Sequence, residues 1–219
     1  MANKISYFIL TGDTGVGKTT LTKKLCLLLN EKGIKTVGFL TEEVRRNRIR
    51  EGFDVVSLSG ERGRLSREQS LLSTPAQFTV GKYGVLVQEF ENIAMQAMKM
   101  QPEDDETCIL VIDEIGRMEF FSTNFKSRIK EIFSPASKNI VLATMPMRST
   151  DPLIESIRKH SSSKVWVVSS NKAKQKYNTR RNRKRNICSN QNITTLFALY
   201  FVIGTHVIIK NKLRMTKLF

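Results

Sequence analysis

Cysteine is scarce in this 219-residue chain, and the three that occur (Cys26, Cys108 and Cys188) have neither C-x-x-C nor metal-ligand spacing. An odd number without a framework excludes a disulfide scaffold and a cysteine-built zinc site. Cys26 falls in an apolar helical stretch and Cys108 opens an apolar run, so both are expected as reduced core residues, in the cytoplasm. Histidine is scarcer still, with two. His160 and His206 sit in no triad or metal pattern, and no chemistry is expected of either. A secretory leader is not legible, because Ile5 to Leu10 lacks the basic flank and cleavage site of one. Nor does any apolar run reach the roughly 18–20 residues of a membrane-spanning helix. Leu196 to Ile209 comes nearest, but Gly204, Thr205 and His206 interrupt it, leaving at most a marginal tail anchor between basic flanks.

Acidic residues are missing altogether from Asn171 to Phe219. That stretch holds 12 of the 36 Lys and Arg and none of the 20 Asp and Glu, so residues 1–170 carry 24 basic against 20 acidic side chains. Of the formal charge of +16, 12 units therefore belong to the tail and 4 to residues 1–170. It says little about the globular part, which at 40% hydrophobic composition suffices for one sizeable core. The expected division is 1–170 as a folded domain and 171–219 as a basic and apolar tail.

What the chain does have is Gly12-Asp13-Thr14-Gly15-Val16-Gly17-Lys18-Thr19 directly behind the apolar run Ile5 to Leu10. This is G-x-x-x-x-G-K-[ST] in its required context, with a β-rich run before it and a helix-forming run, Thr20 to Glu31, after it. Glycines let successive backbone N–H groups point at phosphate oxygens, and the helix adds its positive N-terminal end. Lys18 suits the β- and γ-phosphates and Thr19 suits Mg²⁺.

The rest of the chain alternates strand and helix signals. Ile34 to Leu40, Thr107 to Ile112, Asn139 to Ala143 and Lys164 to Val168 read as strands. Gln88 to Met100, Phe121 to Phe133 and Pro152 to His160 read as helices. Phe53 to Leu58 and Tyr83 to Val87 are short β-runs in turn-rich sequence, expected as a small antiparallel insertion. The class is α/β, with a mainly parallel sheet flanked by helices.

The apolar run Leu110-Val111-Ile112 ends in Asp113-Glu114. An acidic residue at the carboxyl end of a buried strand suits a Mg²⁺ ligand, the Walker B role, which falls to Asp113. Glu114 beside it suits a proton acceptor that orients water. The next strand, Asn139 to Ala143, is expected between the phosphate-loop strand and the Walker B strand, with Thr144 as a polar sensor at its end. Arg117, Arg45 and Arg46 are the candidate cations for transition-state charge.

Taken together, Gly12 to Thr19, Thr41-Glu42-Glu43-Val44-Arg45, Gly52-Phe53-Asp54-Val55-Val56, Arg62-Gly63 with Leu65-Ser66-Arg67, and Val111-Ile112-Asp113-Glu114-Ile115-Gly116-Arg117-Met118-Glu119 closely resemble the cancer-related nucleoside-triphosphatase family, also described from thermophilic microbes. The likeness runs from Ile5 to Val168. It implies a monomeric P-loop fold that hydrolyses nucleoside triphosphates (ATP, GTP, CTP and UTP) to diphosphate and phosphate with Mg²⁺. It further implies nucleotide contacts from Gly12 to Thr19 and from Ile109-Leu110-Val111-Ile112-Asp113-Glu114-Ile115-Gly116. Lys18, Glu114 and Arg117 then stand as catalytic residues, Thr19 and Asp113 as metal ligands. Arg117 occupies a position where the family leads one to expect lysine, which changes reach and hydrogen-bond geometry while keeping charge. Past Val168 the sequence Ser169-Ser170-Asn171-Lys172-Ala173-Lys174 departs from the family pattern.

The tail centres on Arg180-Arg181-Asn182-Arg183-Lys184-Arg185. The run fits a nuclear-import signal, an RNA contact or an anionic-membrane patch, and a plain charged extension is the expectation. Its composition also matches translated A/T-rich non-coding sequence. A nucleotide or nucleoside kinase, and a nucleotide-gated binding protein whose tail contacts nucleic acid or membrane, are the alternatives to hydrolysis.

Overall fold

The first strand is buried along its whole length, as the phosphate-loop motif requires of the segment that feeds it. In the computed structural model, which describes residues 5–99 and 108–169 and the backbone of 186–189, the order is β1 (Tyr7–Gly12), α1 (Lys18–Glu31), β2 (Lys35–Arg46), β3 (Ile49–Ser57), β4 (Arg62–Glu68), β5 (Phe78–Val80), β6 (Tyr83–Val85), α2 (Val87–Ala97), β7 (Cys108–Ile112), α3 (Thr123–Ile132), β8 (Ile140–Pro146), α4 (Pro152–Lys159), β9 (Ser163–Ser169) and β10 (Asn186–Ser189). The chain divides into two compact units. One takes in the described parts of Met1–Thr36, Pro102–Ile109 and Ile140–Phe219, the other those of Val37–Gln101 and Leu110–Asn139.

In the first unit the strand order is β10-β9-β1-β8, all paired in parallel. Parallel strands covered on both faces read as continuous apolar runs, and Phe8, Ile9 and Leu10 are each fully buried for that reason. Helix α1 buries Leu21, Leu25 and Leu29, the i, i+4 stripe of an amphipathic helix. It stops at Gly33, in the left-handed region at φ 74°, whose N–H donates back to the Asn30 carbonyl. Asp151 caps α4 by accepting the Leu153 N–H at 2.9 Å, with Pro152 in the first turn. Strand β10 lies within the stretch read from sequence as tail, and its backbone pairs with Trp166 to Ser169 of β9. The basic run 180–185 and the apolar run 196–209 lie outside the described residues. Among the described residues no helix is long and apolar enough to cross a membrane.

The second unit has the order β7-β2-β3-β4-β6-β5, with antiparallel pairing from β2 through β5. The antiparallel insertion is thus larger than the two short runs expected. Strand β2 continues six residues past Leu40, through the charged Glu42 to Arg46. It turns at Asn47-Arg48, both at positive φ (48° and 66°), the geometry of a two-residue hairpin that follows strand twist. Cross-strand ion pairs explain why charged segments are strands here. Glu43 accepts from Arg50 at 2.6 Å, and that bond holds its carboxyl below the usual range. Asp54 accepts from Arg62 at 2.9 Å and from Arg67 at 2.6 Å, Arg62 also binds Glu42, and Arg64 from β4 reaches Glu89 on α2 at 2.6 Å.

The core of this unit is an aromatic knot. Phe39, Phe90 and Phe125 meet edge to face with centroids 5.1–5.9 Å apart, all essentially unexposed. Ser122 caps α3 by accepting the Phe125 N–H at 2.9 Å, which aims that ring inward. Phe125→Ala is expected to cost about 3–5 kcal/mol in urea unfolding, the range for deleting a buried aromatic side chain. Leu27→Ala, at a side chain 63% exposed, is the control and should change stability by no more than about 0.5 kcal/mol.

Candidate functional site

In the first unit, β1 delivers the chain to the phosphate loop at Gly12. A Cβ there would stand 2.5 Å from the Val168 carbonyl oxygen of β9 and 2.9 Å from the Val16 side chain, so only glycine fits. Gly15 and Gly17 take φ of 78° and 95°, the left-handed geometry that turns neighbouring N–H groups toward one centre. Helix α1 starts at the next residue, with no side-chain cap and no acidic residue in its first turn. Its positive end is thus left for an anion to complete. Lys18 is buried, its Nζ donating to the Gly12 carbonyl at 3.1 Å and the Asp13 carbonyl at 3.4 Å, so the ammonium is folded over the loop. Asp13, Thr14 and Gly15 are exposed, and Thr19 is half-buried in the first turn of α1. The predicted loop residues are therefore brought together as the motif requires.

Sequence reasoning missed Arg158. From α4 it donates to the Pro146 carbonyl at 2.7 Å and the Thr11 hydroxyl at 3.2 Å, and that hydroxyl donates to the same carbonyl at 2.9 Å. These bonds tie the carboxyl ends of β1 and β8 together one residue before the loop. An arginine in the last turn of a predicted surface helix gave no sign of this in the sequence. Thr144, the expected sensor, is fully buried on β8 opposite Leu10, beside the phosphate-loop strand as expected of that segment. His160 packs on Tyr7 at 5.1 Å and accepts the Ser162 N–H at 3.1 Å, a structural role.

In the second unit, Leu110, Val111, Ile112 and Ile115 are core side chains, so the polar groups of the Walker B stretch are those of Asp113 and Glu114. Asp113 is wholly buried. Its N–H donates to the Phe39 carbonyl at 3.2 Å and its Oδ2 accepts the Thr41 N–H at 3.4 Å, which locks the carboxylate to β2. Glu114 is half-buried, open enough for water to reach. Gly116 is a second place where a side chain has no room: a Cβ would lie 2.9 Å from Glu119 Oε2 and 3.2 Å from Glu114 Oε1. Arg117 is exposed. Arg45 and Arg46 are engaged within the hairpin, by Glu43 and by Glu51 at 3.3 Å. Among the described residues no three His, Cys, Asp or Glu converge as a metal cage.

Glu119 went unassigned in the sequence, and burial is what makes it distinctive. Desolvation, followed by the charge of Glu114, raises its pKa from 4.5 to about 8, against the opposing pull of the Glu119 and Gly116 backbone amides. Between these two values the unfolded chain has lost the proton that the folded chain keeps. Stability from this group is therefore complete below pH 4.5 and falls as pH rises toward about 8, by at most about 1.4 kcal/mol per pH unit. Glu119→Gln removes the slope. In urea titrations with chelator, the variant should gain on the parent protein steadily from about pH 5 to 8 and show no further gain above that window.

Known proteins resemble this chain over most of its length. A family model described as NTPase matches residues 7–185. The cancer-related nucleoside-triphosphatase homolog of Bos taurus is 40% identical over 167 residues, covering 74% of this chain and 87% of that protein. The nucleoside-triphosphatase THEP1 of Thermotoga maritima is 38% identical over 150 residues, covering 68% and 79%. Among solved structures, the crystal structure of THEP1 from Aquifex aeolicus superposes with a TM-score of 0.62 at 35% identity, covering 73% of this chain and 87% of that one. The solution structure of a human cancer-related nucleoside triphosphatase gives 0.61 at 38% identity, covering 76% and 89%. With the phosphate-loop motif at a strand-to-helix turn and a family match over most of its length, the chain belongs to the NTPase family.

Proposed function

We propose that this protein hydrolyses nucleoside 5′-triphosphates, ATP, GTP, CTP and UTP among them, to the diphosphate and inorganic phosphate. The observation that carries the reading is the phosphate loop, with alternating positive-φ glycines, a buried lysine over the loop carbonyls and an uncapped helix start. Backbone N–H groups of Asp13 to Lys18 bind the phosphates. The Lys18 ammonium leaves the loop carbonyls for the γ-phosphoryl oxygens and offsets charge that builds there. The Thr19 hydroxyl and the Asp113 carboxylate are hard oxygen donors that fit magnesium, which when bound would neutralise further phosphate charge. Glu114 orients a water and takes its proton as the water oxygen bonds to the γ-phosphorus and the bond to the bridging oxygen breaks.

Support for hydrolysis over phosphoryl transfer to an acceptor comes from the arginines of the second unit. A kinase lid needs mobile arginines, whereas Arg50, Arg62, Arg64 and Arg67 are each tied to a carboxylate of the β insertion or of α2. Phosphate is expected to appear without any added acceptor, to stop on chelation and to return with magnesium. Lys18→Ala should weaken triphosphate binding by about 10- to 100-fold, the scale of hydrogen bonds to a charged group. Glu114→Gln should retain binding and lower kcat by about 10²- to 10⁴-fold, as for loss of a general base. Unchanged turnover in Glu114→Gln would remove that residue from the mechanism.

A further inference from the structure

Glu119 is a buried carboxyl that the hydrolytic reaction leaves without a task, and burying one without a partner or a function is costly. Its surroundings are specific. Backbone N–H groups of Gly116 and of Glu119 itself are directed at the carboxyl. The Phe120 N–H donates to the Gly116 carbonyl at 3.2 Å, and the Ser122 N–H to the Glu119 carbonyl at 3.1 Å, which closes the turn around it. One carboxyl oxygen of Glu119 and one of Glu114 then occupy the space left by the absent side chain of Gly116, 2.9 and 3.2 Å from where a Cβ would stand. Glu114 Cγ, at 3.5 Å from the same point, lies along the same surface. The side chain of Glu114 therefore passes over Gly116, with the Glu119 carboxyl at the same spot.

We infer that Glu119 is a positioning residue for Glu114: its buried carboxyl, which shares with the Glu114 carboxyl the space over Gly116, holds the Glu114 side chain in the conformation from which it orients water. The inference rests on the hydrolytic role given to Glu114 above. Immobilising a glutamate before substrate arrives moves the entropic cost of ordering it from the reaction to folding. Gly116 supplies the room. Both groups a methyl there would meet are ends of flexible side chains, and its φ is not in the left-handed region. The fold can therefore accept alanine at 116, while the two carboxyls must move apart.

The test is a double-mutant cycle on the full chain with ATP as substrate. Glu119→Ala and Gly116→Ala should each lower kcat by about 10- to 100-fold with KM changed by less than about threefold, the scale of a displaced catalytic group. Because Glu119 acts through Glu114, adding Glu119→Ala to Glu114→Gln should lower the residual rate no further. A structural role alone would multiply the two effects, and that result overturns the inference. Glu119→Gln keeps the shape and an acceptor oxygen, so it should restore most of the rate lost in Glu119→Ala. If it folds with a thermal midpoint no lower than the parent's yet is as slow as Glu119→Ala, positioning by shape is overturned. The reading of Glu114 fails separately, if Glu114→Gln alone turns over at the parent rate.

Discussion

A phosphate loop binds well only if the strand that feeds it cannot move, because converging amides lose their aim with small shifts of the first residue. Here that constraint falls on β1. It is gripped on both edges by parallel partners, with Tyr7 to Gly12 in register with Val141 to Pro146 on one side and Tyr7 to Thr11 with Ser163 to Val167 on the other. Both its faces are covered as well, and Phe8 stacks on Trp166 at 6.1 Å. Arg158 adds polar fastening at the end where aim matters, joining Thr11 to Pro146. With the strand held this way, the exposed residues Asp13 to Gly15 start from a fixed point and direction.

The end of β7 poses a different problem, that of keeping three carboxyls near one another in distinct states. Asp113 is fully buried and tied to the backbone of β2, Glu114 is half-buried and reachable by water, and Glu119 is buried against two backbone amides. Environment rather than residue type separates their roles, since two of the three are the same amino acid.

Much of the fold was legible in the sequence, and the rest fails for identifiable reasons. The apolar runs at β1, β8 and β9 announce buried parallel strands and that at β7 a buried strand, and the loop motif dictates the tight turn and the helix after the first of them. Strand β4 and the outer half of β2 were not legible as strands. Their Arg and Glu residues carry no apolar period, and only cross-strand pairing, a long-range fact, makes them extended. At the candidate site the glycines, Lys18 and Asp113-Glu114 could be read because motif spacing encodes them. Arg158 and Glu119 could not, since one acts over 147 positions of sequence through Thr11 and the other is defined by burial alone.

The approach of Gly12 to Val168 distributes freedom unequally between the two positions. One partner contributes a missing side chain and the other a backbone carbonyl, so position 12 admits a single amino acid while position 168 admits any residue that suits the core behind it. The chain is thus free to diverge in sequence along the carboxyl end of β9, where Ser169 comes next, without the phosphate loop registering the change. Drift on that side is silent at the loop, and drift at Gly12 is not.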